Sequence, residues 1–97
     1  MELSNLQTGN LIELHNTLFE VLNTNIEADP APGKIPPFNK YFVLYLRKKK
    51  SSGLLPTHEI REYEHTKEVY LVVHTKKGPQ VIKKERWKIN KEEIKKK

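Results

Sequence analysis

Six apolar residues run without a break from Tyr41 to Leu46, between Lys40 and the basic run Arg47-Lys48-Lys49-Lys50. In an extended chain Tyr41, Val43 and Tyr45 face one way, and Phe42, Leu44 and Leu46 the other. Neither face is polar. The segment is therefore expected to be a central strand covered on both sides, and the rest of the chain has to supply that cover.

The chain has 97 residues, enough for a single domain spanning 1–97. It contains no cysteine, which excludes a disulfide framework, a thiolate nucleophile and a thiolate metal site. That fits a reducing compartment, and a cytoplasmic location is expected. No apolar run reaches the roughly 18 residues of a membrane span. Met1-Glu2-Leu3-Ser4 has neither a basic region nor a long apolar core, so no signal peptide and no membrane partner are expected.

Two readings fit residues 10–23. As a helix, Leu11, Leu14, Leu18, Val21 and Leu22 fall at helical spacing, with Thr8 as a cap. As a hairpin, Ile12 and Leu14 point inward, His15-Asn16-Thr17 turns, and Phe19 and Val21 point inward on the return. The many Asn and Thr residues are poor helix formers, and this favours the hairpin.

Residues 23–39 read as a Pro-rich loop, because four of the six prolines lie there and each removes a backbone donor. After the central strand, Lys48 to Pro56 reads as a turn around Ser51-Ser52-Gly53. The polar segment His58 to His65 suits an edge strand, where charge blocks pairing with other chains. Val69 to His74 is a second strong strand, and Thr75-Lys76-Lys77-Gly78-Pro79 a turn. Gln80 to Ile89 pairs back, with Val81, Trp87 and Ile89 on one face and Lys84, Arg86 and Lys88 on the other. Asn90-x-x-Glu93 fits a capping box and a short helix. Residues 90–97 form a basic C-terminal tail whose end, Lys95 to Lys97, is expected to fray.

Five or six short strands with little helix predict an all-β domain, a small antiparallel SH3-like barrel or open sandwich. The alternative, should 10–23 be helical, is an α+β fold with that helix on a four-stranded sheet.

Several segments together carry a resemblance: Gly9 to Leu14, a turn, Leu18 to Leu22, a loop with Pro32-Gly33-Lys34, a strand ending Leu46-Arg47, Gly53 and a polar strand. Over residues 8–65 the order resembles the N-terminal SH3-like (KOW-like) barrel of the elongation factor P family. In that family the loop lysine is commonly modified and reaches toward the end of a transfer RNA. The resemblance implies that position for Lys34.

Chemistry-bearing constellations are sparse. His15, His58, His65 and His74 have no zinc spacing. Ser4, Ser51 and Ser52 lie outside any nucleophile elbow, and no glycine motif cradles a phosphate. Glu62 and Glu64 alternate on what reads as a solvated edge. No enzymatic activity, metal or cofactor is expected.

Charge is more informative. Residues 1–46 carry two basic and five acidic side chains, and residues 47–97 carry sixteen and seven; the +6 net charge is thus a −3 half joined to a +9 half. A basic half attracts polyanions through space. The expected function is a nucleic-acid or ribonucleoprotein binding module. Its contact residues would be Lys34, Arg47, Lys48, Lys49, Lys50, Lys76, Lys77, Lys84, Arg86, Trp87 and Lys88. Tyr45, Tyr63, Tyr70 and Trp87 are candidates for stacking on bases. The alternative is a protein-interaction module, such as a viral or mobile-element regulator of a host machine. Its contact would be the stiff apolar loop segment Ile35, Pro36, Pro37 and Phe38.

Overall fold

The computed structural model describes residues 2–29, 40–77 and 81–97, with backbone alone at 76–77 and 81–83. The strands are β1 (Leu11–Leu14), β2 (Thr17–Ala28), β3 (Lys40–Lys48), β4 (His58–Tyr63), β5 (Val69–Lys77), β6 (Val81–Ile89) and β7 (Lys95–Lys96). They form one antiparallel sheet in the order β6-β5-β4-β3-β2-β1-β7. The only helical pieces among the described residues are two single 3-10 turns, Leu3–Asn5 and Lys91–Glu93. The fold is all-β, and the hairpin reading of residues 10–23 holds.

The sheet is curled into a half-barrel, and the connection from β6 to β7 shows why. These strands are the two opposite edges, six strand spacings apart, about 29 Å in a flat sheet. Only Asn90 to Ile94 join them, a reach of at most about 21 Å. The edges have to approach each other. Accordingly, one apolar cluster collects Ile12 and Leu14 of β1, Phe19 and Val21 of β2, Leu44 and Leu46 of β3, Ile60 of β4, Leu71 of β5 and Ile89 of β6. That is the inner face. Leu3, Leu6 and Ile94, from the N-terminal and C-terminal segments, are buried in the same cluster.

The β1–β2 turn is two residues long. His15 and Asn16 both have positive φ, 49° and 63°, which is the mark of a type I′ turn whose twist matches the flanking strands. Ile12, Leu14, Phe19 and Val21 are buried, as the hairpin alternation requires.

β2 then runs well past the point where the sequence reads as loop. Its register against β3 jumps between Val21↔Leu46 and Asn23↔Tyr45, so Leu22 is an extra residue. Such a bulge reverses which side chains face inward. Phe19 and Val21 point in before it; Asn23, Asn25 and Glu27 point out after it. The apolar alternation therefore breaks at Leu22 although the strand continues to Ala28.

Three further expectations are corrected. The segment His58–Tyr63 is not an edge; β4 sits between β3 and β5, and five of its six residues are buried. Its outward charges tolerate this position because they neutralise one another, as described below. Lys76 and Lys77 lie at the end of β5 rather than in a turn. Lys95 and Lys96 pair with Glu13 and Ile12 of β1, and the Lys97 N–H donates to the Leu11 carbonyl at 2.9 Å, so the tail end is a strand. The capping expectation is met by the second 3-10 turn, where the Glu93 carboxylate accepts the Asn90 N–H at 2.8 Å. No helix among the described residues is long and apolar enough to cross a membrane.

Candidate nucleic-acid interface

The strand registers bring distant basic residues to one end of the sheet. Leu46 lies beside His58, His58 beside Val73, and Val73 beside Glu85. Beyond that line β3 carries Arg47 and Lys48, its following turn Lys49 and Lys50, β5 Lys76 and Lys77, and β6 Lys84. From β3 to β6 the row crosses three strand spacings, about 14 Å. Arg47 is held by Glu20 at 2.9 Å and by the Gly53 carbonyl at 3.3 Å, and Lys49 lies 3.9 Å from Glu20. Lys48 and Lys50 are exposed, and neither has an ion-pair partner among the described residues.

The outer face of the sheet holds a different structure. Glu59, Arg61 and Tyr63 of β4 lie between Tyr41, Val43 and Tyr45 of β3 and Tyr70, Val72 and His74 of β5. Glu59 is fully buried. Its carboxylate accepts from Arg61 Nε at 3.0 Å, from Lys84 Nζ at 3.1 Å and from His74 Nε2. Burial alone would push this carboxyl up; the bonds from His74, Lys84 and Arg61 offset that and hold it below its ordinary value.

Arg61 also stacks 4.5 Å from the centre of the Tyr41 ring and reaches Asp29 at 3.5 Å. Asp29 accepts from the Tyr63 hydroxyl at 2.6 Å and from Arg86 at 3.4 Å. Glu27 accepts from the Tyr45 hydroxyl at 2.5 Å. Burial and Glu27 raise the Tyr45 phenol well above its ordinary value, and burial raises that of Tyr41 to about 12. Every buried polar side-chain atom among the described residues has a partner. The network is satisfied, and it welds β2, β3, β4, β5 and β6 across the sheet.

The predicted contact residues therefore divide. Lys48, Lys49, Lys50 and Arg47 stand together, with the backbones of Lys76 and Lys77 at the same end. Lys84 and Arg86 are half-exposed but tied to Glu59 and Asp29. Lys88 is exposed on the outer face of β6, away from that end. Trp87 projects from the opposite face and is 50% exposed. Tyr45, Tyr63 and Tyr70 belong to the outer face, with hydroxyls bonded to Glu27, Asp29 and Glu68, and do not join the lysine row. Lys34, Ile35, Pro36, Pro37 and Phe38 lie outside the described residues.

The histidines disperse. His58 points inward, packed edge-on against Phe19 at 4.7 Å; His74 points outward; His15 bonds Glu93 at 3.1 Å; His65 lies in an exposed turn. No group suited to holding a metal ion occurs among the described residues. Sequence reasoning missed Glu59 and Asp29. The one signal was the i, i+2 pair Glu59 and Arg61, which places opposite charges on one face of a strand. No protein-family model, no curated protein and no solved structure matches the chain.

Proposed function

We propose that the protein binds nucleic acid through its phosphate backbone, at the lysine-rich end of the sheet. The observation that carries this is the register that gathers Lys48 to Lys50 and the backbones of Lys76 and Lys77 onto one end. Ammonium groups neutralise phosphates without reading bases. Tyr45, Tyr63 and Tyr70, the tyrosine candidates for stacking on bases, are bonded to Glu27, Asp29 and Glu68 on the outer face. Binding is therefore expected to tolerate sequence and to weaken steeply with salt.

The test is retention of a labelled oligonucleotide by the wild type and by Lys48→Glu/Lys50→Glu, titrated over a range of salt. Each phosphate contact contributes about 0.9 to the slope of log K against log salt, so the variant is expected to lose about 2 from the slope and most of its affinity at low salt. Unchanged binding by a folded variant refutes the reading. A stoichiometric protein that stays bound after nuclease treatment would instead favour a protein partner.

A further inference from the structure

The same end of the sheet carries something that phosphate contacts do not need. Leu54 and Leu55, between β3 and β4, are 85% and 71% exposed. The loop that presents them is not slack. The Lys48 N–H donates to Thr57 Oγ1 at 3.0 Å, the Thr57 N–H to the Leu46 carbonyl at 2.8 Å, and the Ser51 N–H to the Lys48 carbonyl at 2.9 Å. Arg47 donates to the Gly53 carbonyl just before the leucines. Pro56 follows at once, fixing its own φ and biasing Leu55 toward extended backbone. Two adjacent leucines are thus held in water at the tip of a tied loop, beside Lys48, Lys49 and Lys50. The neighbouring hairpin joins this tip, since the Lys49 N–H donates to the Leu18 carbonyl at 2.9 Å.

We infer that Leu54 and Leu55 form an apolar wedge that enters a base step of duplex DNA while Lys48, Lys49 and Lys50 hold the flanking phosphates. This rests on the nucleic-acid reading and names its substrate class. Apolar side chains that insert between base pairs unstack them and kink the duplex, and flanking cations contact the backbone of the bent form. A single strand is the poorer fit, because the described residues at this end present no exposed aromatic platform for unpaired bases. A lipid surface is also a poorer fit. Two leucines offer little apolar area to a bilayer, and the cations continue away from the tip along the strand ends.

The experiment uses a duplex of about 20 bp with a central TA step, labelled with donor and acceptor dyes at its two ends; such pyrimidine–purine steps kink easily. The wild type is expected to raise energy transfer, consistent with a kink of about 20–90°. Leu54→Ser/Leu55→Ser is expected to bind at low salt within about threefold of wild type, because phosphate contacts dominate affinity, and to leave the duplex straight. Both positions are exposed, so folding should survive, and far-UV circular dichroism checks this. Wild type that binds without bending, or a serine variant that bends as well as wild type, overturns the wedge and leaves the parent reading standing. Wild type that binds no duplex overturns the wedge, and wild type that retains neither duplex nor single-stranded oligonucleotide overturns the parent reading as well. Leucine-dependent flotation with phosphatidylserine vesicles in place of duplex binding would assign the tip to a lipid surface and also overturn both.

Discussion

Replacing Glu59 with glutamine removes a negative charge from a place that water does not reach. Glu59 is fully buried, and Arg61, His74 and Lys84 all donate to it. Removing one partner of a buried ion pair typically costs about 3–5 kcal/mol, because the remaining charge is left without compensation. Here the lower end applies. Arg61 keeps Asp29 at 3.5 Å and the Tyr41 ring at 4.5 Å, and Lys84, half-exposed, can turn into water. A loss of about 3 kcal/mol in a domain of this size lowers Tm by about 15 °C. Thermal unfolding by circular dichroism measures it directly. The double variant Glu59→Gln/Arg61→Met should be less damaged than the two single losses together, with a coupling of about 1–3 kcal/mol. A Tm for Glu59→Gln within about 4 °C of wild type would mean that the buried network contributes under about 1 kcal/mol, and the account of the outer face would be wrong.

Three other outcomes follow from the geometry. Burial, helped by the charges of Lys48 and His74, lowers His58 from an ordinary 6.5 to about 4, so only the unfolded chain takes up this proton between those values. Its contribution is complete above about pH 6.5 and falls by about 3 kcal/mol as pH drops to 4; urea unfolding against pH should show this slope reduced in His58→Gln. Leu3→Ala, in a residue with no exposure at all, should cost about 2–5 kcal/mol in urea unfolding; a neutral result would show that the N-terminal segment is not part of the core. Asn16→Val places a β-branched side chain at φ 63° and should cost about 1–2 kcal/mol, while Asn16→Gly should be close to neutral.

Patterns complete within a few neighbouring residues persist into the fold, whereas those completed by distant partners change their meaning there. The run Tyr41 to Leu46 and the alternation in Ile12 to Val21 are local patterns and became strands with the expected faces, and Val69 to His74 became the expected strand. The sharp local signals also held, including the box from Asn90 to Glu93 and the turn within His15 to Thr17, which is two residues long because Thr17 already pairs with Leu14. The failures lie where a distant partner changed the meaning of a residue. Leu22 hid the rest of β2, because a bulge reverses side-chain alternation and the pattern then looks like its end. Glu59 and Arg61 read as a solvated edge, because the residues that neutralise them come from 15 to 32 positions away along the chain. Lys95 and Lys96 read as a frayed tail, because their strand partner is β1, near the other terminus.

The sequence alone determined a basic chain with a central strand apolar on both faces, and favoured an all-β domain with an N-terminal hairpin, since net charge is fixed by composition and hydrophobic period and turn residues are properties of neighbours in the chain. Only the tertiary structure decided which of its many cations stay free. Curling the sheet and setting the registers committed Arg61, Lys84 and Arg86 to buried or half-buried carboxylates and left Lys48 and Lys50 in solvent beside Leu54 and Leu55. A lysine in a sequence is one charge among eighteen; its availability depends on which carboxylates fold against it, and that is fixed only when strands far apart in the chain are laid side by side.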